Sequence, residues 1–133
     1  MMCEMQIRVR GAESDATGCL HHARYLVYFE EGRTELARQR GLSYRDMEDR
    51  GYLMVIIRAQ VCYHQPALPD DLLMLRTTVA RTTLFKLEHH YELFRDGVLL
   101  AEGDTTVACI DREGKIQPLP DCLQVESDNG PAM

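Results

Sequence analysis

The spacing of apolar residues changes period along this chain, and each change marks an element. Residues 4–11 alternate weakly between apolar and polar and predict a first strand that stops at Gly11. Residues 12–21 are mostly small and polar (Glu13, Ser14, Asp15, Thr17, Gly18) and predict a loop. From about His22 to Arg40 the period lengthens. Tyr25, Tyr28, Phe29, Gly32 and Leu36 share one stripe, while Arg24, Glu31, Arg38 and Arg40 fall mostly off it, as in an amphipathic helix. Gly32 in that stripe costs helix propensity, so it predicts a close approach of the helix to a sheet. Gly41 sits where a helix-ending glycine belongs. Ser43 is placed to cap a short polar helix that Gly51 stops.

Beyond Gly51 the period drops to two. In residues 52–64, Ile57, Ala59, Val61 and Tyr63 alternate with Arg58, Gln60, Cys62 and His64. A turn with two prolines follows at 65–71. Residues 72–80 put Leu73, Leu75, Thr77 and Val79 on one face, and residues 84–95 put Phe85, Leu87, His89, Tyr91 and Leu93 on one face. Asp96-Gly97 is a two-residue hairpin signal leading into a strand from Val98 to about Ile110, which ends at the Asp111–Gly114 turn.

These elements make an α+β chain: strand, loop, long helix, short helix, then four long strands expected to be joined by hairpins. An antiparallel sheet needs one face covered, and one long helix is available to cover it, so a curved sheet wrapped around that helix is the economical arrangement. Leu72, Met74, Phe94 and Leu100 then fall on the opposite face and suggest contact with a second subunit. Residues 1–123 form a single domain in this reading, and 124–133 a polar tail expected to fray.

Composition narrows the function. The 133 residues suit one core, and 45% hydrophobic with 27% charged residues is the soluble globular range. A net charge of −6 argues against nucleic-acid partners, which need a basic face. No apolar run approaches a membrane span, and the first residues lack a signal-peptide core. Five scattered cysteines with no CxxC pair suit reduced thiols in a cytoplasm.

The chemistry concentrates between Glu13 and Glu35. Asp15 stands in a small-residue loop just before a long helix, whose start offers unpaired N–H groups and partial positive charge. Those amides can polarise a carbonyl while a nearby carboxylate attacks it or activates water, so one loop supplies both halves of an acyl-transfer site. From spacing alone, Asp15 serves equally well as the cap of a turn.

This stretch resembles the 4-hydroxybenzoyl-CoA thioesterase and YbgC-like branch of the hotdog superfamily. That pattern, Asp-x-x-Gly-x-x-x-His/Tyr-x-x-Tyr followed by an aromatic-rich helix, is met here by Asp15, Gly18, His22, Tyr25 and the run Phe29–Glu35. A second marker, Tyr-x-x-Pro-Ala with an acidic pair, is met by Tyr63, Pro66, Ala67, Asp70 and Asp71. The resemblance implies a hotdog fold and hydrolysis of an acyl-CoA thioester to a carboxylate and free coenzyme A. It makes Asp15 nucleophile or general base and the backbone amide of His22 the donor to the thioester carbonyl. Gly18 and Tyr25 would lie against the substrate. No cofactor beyond the coenzyme A of the substrate is implied, and a homodimer or homotetramer would complete the pocket.

Thr17 departs from the family, which often has a small residue there, and is expected to narrow or reshape the acyl end. Arg81 and Lys86 are candidates for the coenzyme A phosphates, or else solvated edge charges. His21-His22 and His89-His90 lack metal-ligand spacing, so no metal is expected. His89 reads as a half-buried strand residue, and Cys19 has no histidine placed to make it a thiolate. Two rival readings are a hotdog dehydratase or hydratase, which would carry Asp-x-Asn-Pro-x-His or a loop histidine paired with a helix acid, and a non-catalytic acyl-CoA-binding module.

Overall fold

The computed structural model describes residues 1–123; the tail expected at 124–133 lies outside them. The described residues include, in order, β1 (Met2–Arg8), α1 (Arg24–Gln39), α2 (Tyr44–Asp49), β2 (Leu53–Tyr63), β3 (Leu72–Thr82), β4 (Lys86–Arg95) and β5 (Val98–Ile110). The strands form one antiparallel sheet in the order β1-β3-β4-β5-β2. Four β-strands do follow the helices, but only β3-β4 and β4-β5 are joined as hairpin neighbours. β2 pairs with β5 at the far edge instead of with β3. The chain from Tyr63 to Leu72 therefore crosses from one edge of the sheet to the other side, which its extended, proline-bearing composition permits and a tight turn would not. At the β4-β5 turn, Asp96 and Gly97 both have positive φ (50° and 80°), the two-residue hairpin geometry that an Asp-Gly pair favours.

Helix α1 buries Tyr25, Tyr28, Phe29, Gly32, Leu36 and Ala37 against the inner face of the sheet. A Cβ on Gly32 would run into Thr77 Oγ1 and come within 2.8 Å of Leu75 Cδ2, so the glycine is where helix and sheet touch. Gly41 (φ 79°) ends α1, and Ser43 Oγ accepts the Asp46 N–H at 3.3 Å to start α2. Leu73, Leu75, Tyr91 and Leu93 complete the main core under α1. A second cluster, built from Met47, Leu87, Val107, Cys109, Leu119 and Leu123, lies under α2 at the other end.

Two bulges rearrange what alternation alone predicts. The β2-β5 register shifts between Ile56 and Arg58, which leaves both Ile56 and Ile57 exposed. The β4-β5 register shifts between Leu93 and Phe94, and Leu100 is the extra residue. The bulge turns Leu100 into the main core, fully buried, so it is not on the outer face. That outer face is also more charged than expected: Arg76 bridges Glu4 (2.9 Å) and Glu92 (3.4 Å) and lies over the Phe94 ring.

His89 is buried, not half-buried, at 2% exposure. Burial, with the Arg33 guanidinium nearby, holds its pKa down to about 3, so it folds neutral. The unfolded chain takes up a proton near pH 6.5 that the folded chain refuses until about pH 3. Stability from this group is therefore complete above 6.5 and falls as pH drops below it. Between pH 7.5 and 5.0 the term amounts to about 2 kcal/mol. Urea titrations at both values should show the wild type losing about that much more than His89→Leu; equal losses would reject the assignment.

Candidate active site

The loop between β1 and α1 is pinned at several points. Glu13 Oε1 accepts the Tyr28 hydroxyl at 2.8 Å and the Arg10 N–H at 2.9 Å, tying the loop to α1. The Leu20 N–H donates to the Ala67 carbonyl at 2.8 Å, which fixes the loop against the segment after β2. Between these anchors lies the turn at Asp15. The Gly18 N–H donates to the Asp15 carbonyl at 3.0 Å, and Gly18 adopts φ 84°, a conformation that glycine takes without strain.

The Asp15 carboxylate is bonded through one oxygen. Oδ1 accepts from the Thr17 N–H (2.8 Å), the Thr17 hydroxyl (2.6 Å) and the Cys19 N–H (3.2 Å). The Thr17 hydroxyl, then the amides of Thr17 and Cys19, hold the carboxyl below its usual range, so it is ionised at neutral pH. Asp15 therefore caps a turn, and it also lines a cavity.

Helix α1 begins at Arg24, two residues later than its apolar period suggests. His21 Nδ1 accepts the Ala23 N–H at 3.1 Å, and the Arg24 N–H donates to the His21 carbonyl, so a turn precedes the first helical residue. The N-cap residue Ala23 offers no side-chain acceptor, and the first turn has no acidic residue. The positive end of the helix is thus uncompensated. Among the described residues, the His22 N–H has no hydrogen-bond partner, whereas the His22 carbonyl accepts the Tyr63 hydroxyl at 2.8 Å.

Asp15, Leu20, His22, Tyr25, Tyr63 and Pro66 line a single cavity of about 270 Å³, open to solvent. His64 and Gln65 complete its wall, their N–H groups held by the Leu100 carbonyl at 2.8 and 3.0 Å. The rings of Tyr25 and Tyr63 meet edge-on, 4.9 Å apart. Behind the wall, Arg95 bonds Asp71 at 2.6 Å and the Pro66 carbonyl at 3.3 Å. The structure thus brings together Asp15, His22 and Tyr25, with Gly18 in the turn beneath them. Thr17 does not line the cavity; its side chain is turned onto the carboxylate.

Arg81 and Lys86 are placed elsewhere. They lie at the far end of the β3-β4 hairpin, where Arg81 pairs in register with Glu88. Arg95, which touches the cavity wall, is nine residues along β4 from Lys86, about 30 Å at the rise of a strand. Within one chain these two cations do not converge with Asp15. Sequence reasoning did not assign Tyr63 or the Arg95–Asp71 pair to the site. Their signal was the Tyr-x-x-Pro-Ala…Asp-Asp marker, which carries no geometry until β2 is placed beside α1.

Separate from this cavity, two further spaces lie along α1 and β2. A space of about 280 Å³ is lined by Leu26, Val27, Glu30, Arg33, Ile56, Ala59 and Thr105. A further space of about 160 Å³ shares Glu30, Arg33 and Ile56 and reaches Tyr44 and Met54. Thr105 and Arg33, which line the first of these spaces, both bond the Tyr91 hydroxyl, at 2.6 and 3.2 Å. Among the described residues, no group of three or more His, Cys, Asp or Glu is arranged to hold a metal, and no helix is long and apolar enough to cross a membrane.

The chain as a whole is similar to known proteins. The sequence profile of the thioesterase-like superfamily matches residues 9–126. A provisionally named esterase of Aquifex aeolicus is 33% identical over 122 residues, covering 91% of this chain and 94% of its own. The acyl-CoA thioesterase YbgC of Haemophilus influenzae is 32% identical over 114 residues, covering 85% and 83% of the two chains. Among solved structures, the DHNA-CoA thioesterase of Staphylococcus aureus superposes with a TM-score of 0.87 at 25% identity, over 99% of this chain and 95% of that one.

Proposed function

The chain belongs to the thioesterase-like superfamily with a hotdog fold, and from that membership we propose that it hydrolyses acyl-CoA thioesters to a carboxylic acid and free coenzyme A. One observation carries the chemistry: the ionised Asp15 and His22, whose N–H has no partner among the described residues, line the same cavity at an uncapped helix start. A thioester carbonyl bound there accepts from the His22 N–H, which stabilises the oxyanion as the carbonyl carbon becomes tetrahedral. Either Asp15 takes a proton from the attacking water and the thiolate of coenzyme A leaves as the acid forms, or Asp15 attacks the carbon, the thiolate leaves, and water then hydrolyses the acyl-aspartyl anhydride to the acid and free Asp15. Relatives named as acyl-CoA thioesterases support the substrate class.

The test is thiol release over a panel of aromatic and aliphatic acyl-CoAs and acyl-carrier-protein thioesters. At least one coenzyme A thioester should be hydrolysed with free thiol appearing. Enoyl-CoA accumulation without thiol would point to a hydratase, and tight binding without turnover to a binding module. Either result overturns the proposal.

We also propose that a second copy of the chain completes the site across β2. That strand is an edge of the sheet, contributes Tyr63 to the cavity, and carries exposed Ile56 and Ile57. Sedimentation velocity should find at least a dimer, and Ile57→Lys should yield a slower-sedimenting species. A fully active wild-type monomer would refute the shared site.

A further inference from the structure

The Asp15 carboxylate is asymmetric. Its Oδ1 has two in-plane lone pairs and three donors directed at it, from the Thr17 N–H, the Thr17 hydroxyl and the Cys19 N–H. Among the described residues, Oδ2 receives no hydrogen bond, and Asp15 itself lines the cavity. An oxygen saturated by three donors is a poor nucleophile and a poor base, whereas its neighbour keeps both lone pairs free. The shortest of the three contacts, 2.6 Å, is the Thr17 hydroxyl, a charge-assisted bond of the stronger kind.

We infer that Thr17 is a positioning residue for the reaction: its hydroxyl clamps Oδ1 of Asp15, so that Oδ2 is the one oxygen presented to the substrate. This rests on the reading of Asp15 as the reacting carboxylate. Thr17 is exposed and outside the cavity wall, so it acts through Asp15 and not on the acyl group. The backbone amides of Thr17 and Cys19 already hold Oδ1, and the hydroxyl adds a third and shorter bond to the same oxygen, which deepens the well in which the carboxylate sits.

The clamp also sets the pH at which the site works. The titratable groups around the carboxylate are His21 and His22 on the approach to α1, Cys19 in its own loop, Tyr25 of α1, and Tyr63 and His64 at the end of β2. The Thr17 hydroxyl is the strongest influence holding the Asp15 carboxyl ionised. Activity that needs the ionised form persists above its pKa and fails as pH falls through it. Removing the hydroxyl therefore moves the acid limb of kcat/KM to higher pH.

Thr17→Val keeps the branched shape and the backbone donor while deleting the hydroxyl; Thr17→Ser keeps the hydroxyl. On whichever acyl-CoA the enzyme hydrolyses, Thr17→Val should lower kcat about tenfold, the size of one lost hydrogen bond to a charged group. KM should stay within about twofold, because nothing that touches substrate has changed. The acid limb should rise, and Thr17→Ser should restore both kcat and limb. Four outcomes separate the ideas. Wild-type kcat and limb in Thr17→Val, with Asp15→Asn inactive, overturns the clamp and leaves the role of Asp15 standing. A lower kcat with an unmoved limb assigns Thr17 to loop packing and overturns it too, as does failure of Thr17→Ser to rescue. Full activity in Asp15→Asn removes the reading on which the clamp rests.

Discussion

Asp15→Asn should lower kcat for acyl-CoA hydrolysis by at least about 100- to 1,000-fold, the loss that removal of a single well-placed oxyanion donor already causes. Asn is nearly isosteric, and its side-chain oxygen can still accept from the Thr17 and Cys19 amides that Asp15 Oδ1 accepts from now. The turn therefore survives, and with it the Leu20–Ala67 and Tyr63–His22 bonds that shape the cavity. What disappears is the negative charge and the free Oδ2 lone pairs. An amide neither attacks a thioester nor accepts a proton from water at neutral pH. The loss should fall on kcat, with KM little changed, because the other residues that line the cavity are untouched. Steady-state thiol release with matched circular dichroism of both proteins checks it. Wild-type rates in Asp15→Asn on every active substrate would mean that the carboxylate only caps its turn.

The second large effect concerns the fold. Gly103→Ala should destabilise the protein by about 3 kcal/mol and lower Tm by about 10 °C, the upper range of ordinary core overpacking. Gly103 lies in β5 opposite Tyr91 of β4 and Val61 of β2. A Cβ there would collide with the Gln60 backbone carbonyl and come within 2.6 Å of Phe29 Cε2. Neither neighbour gives way easily. The Gln60 carbonyl belongs to the β2 backbone, and Phe29 is fully buried and stacked on Tyr91 at 4.2 Å. Relief requires β2 to move away from β5, which opens the edge beside the cavity. Thermal unfolding followed by near-ultraviolet circular dichroism would read the shift. An unchanged Tm would show that the contact relaxes without cost.

Much of the architecture was legible because it depends on short stretches. The alternation in residues 72–80 and 84–95, the Asp96-Gly97 turn and the stripe of α1 are local patterns, and the structure follows them to within two or three residues at most ends. Gly32 shows how a single residue can report a tertiary contact: a glycine in the middle of an apolar helical stripe has little reason to exist except that something lies too close for a Cβ, here Thr77 and Leu75. That Asp15 and His22 would lie near one another was legible for a similar reason, since loop and helix start are adjacent in sequence, whereas the roles proposed for them came from the family resemblance.

Other features depend on partners distant in sequence. The placement of β2 beside β5 pairs Leu53 with Ile110 and Tyr63 with Ala101, separations that no local pattern encodes. The bulges follow from that pairing, so alternation put Leu100 on the wrong face and did not foresee that Ile56 and Ile57 would both be exposed. His89 reads as an ordinary strand histidine until β4 is seen in the middle of the sheet under α1, where burial strips it of its charge.

The chain by itself determined the order of the elements, the hairpin at Asp96-Gly97 and the position of a carboxylate just ahead of a long helix, because periodicity and turn chemistry act within a few residues. Only the tertiary structure decided which walls close around that carboxylate, that Tyr63 ties β2 to the helix start, and that the hydroxyl of Thr17 bonds Oδ1. A hydrogen bond or a cavity needs two groups brought to a few ångströms with a set orientation, and that orientation comes from the packing of the sheet on α1 and from strand register.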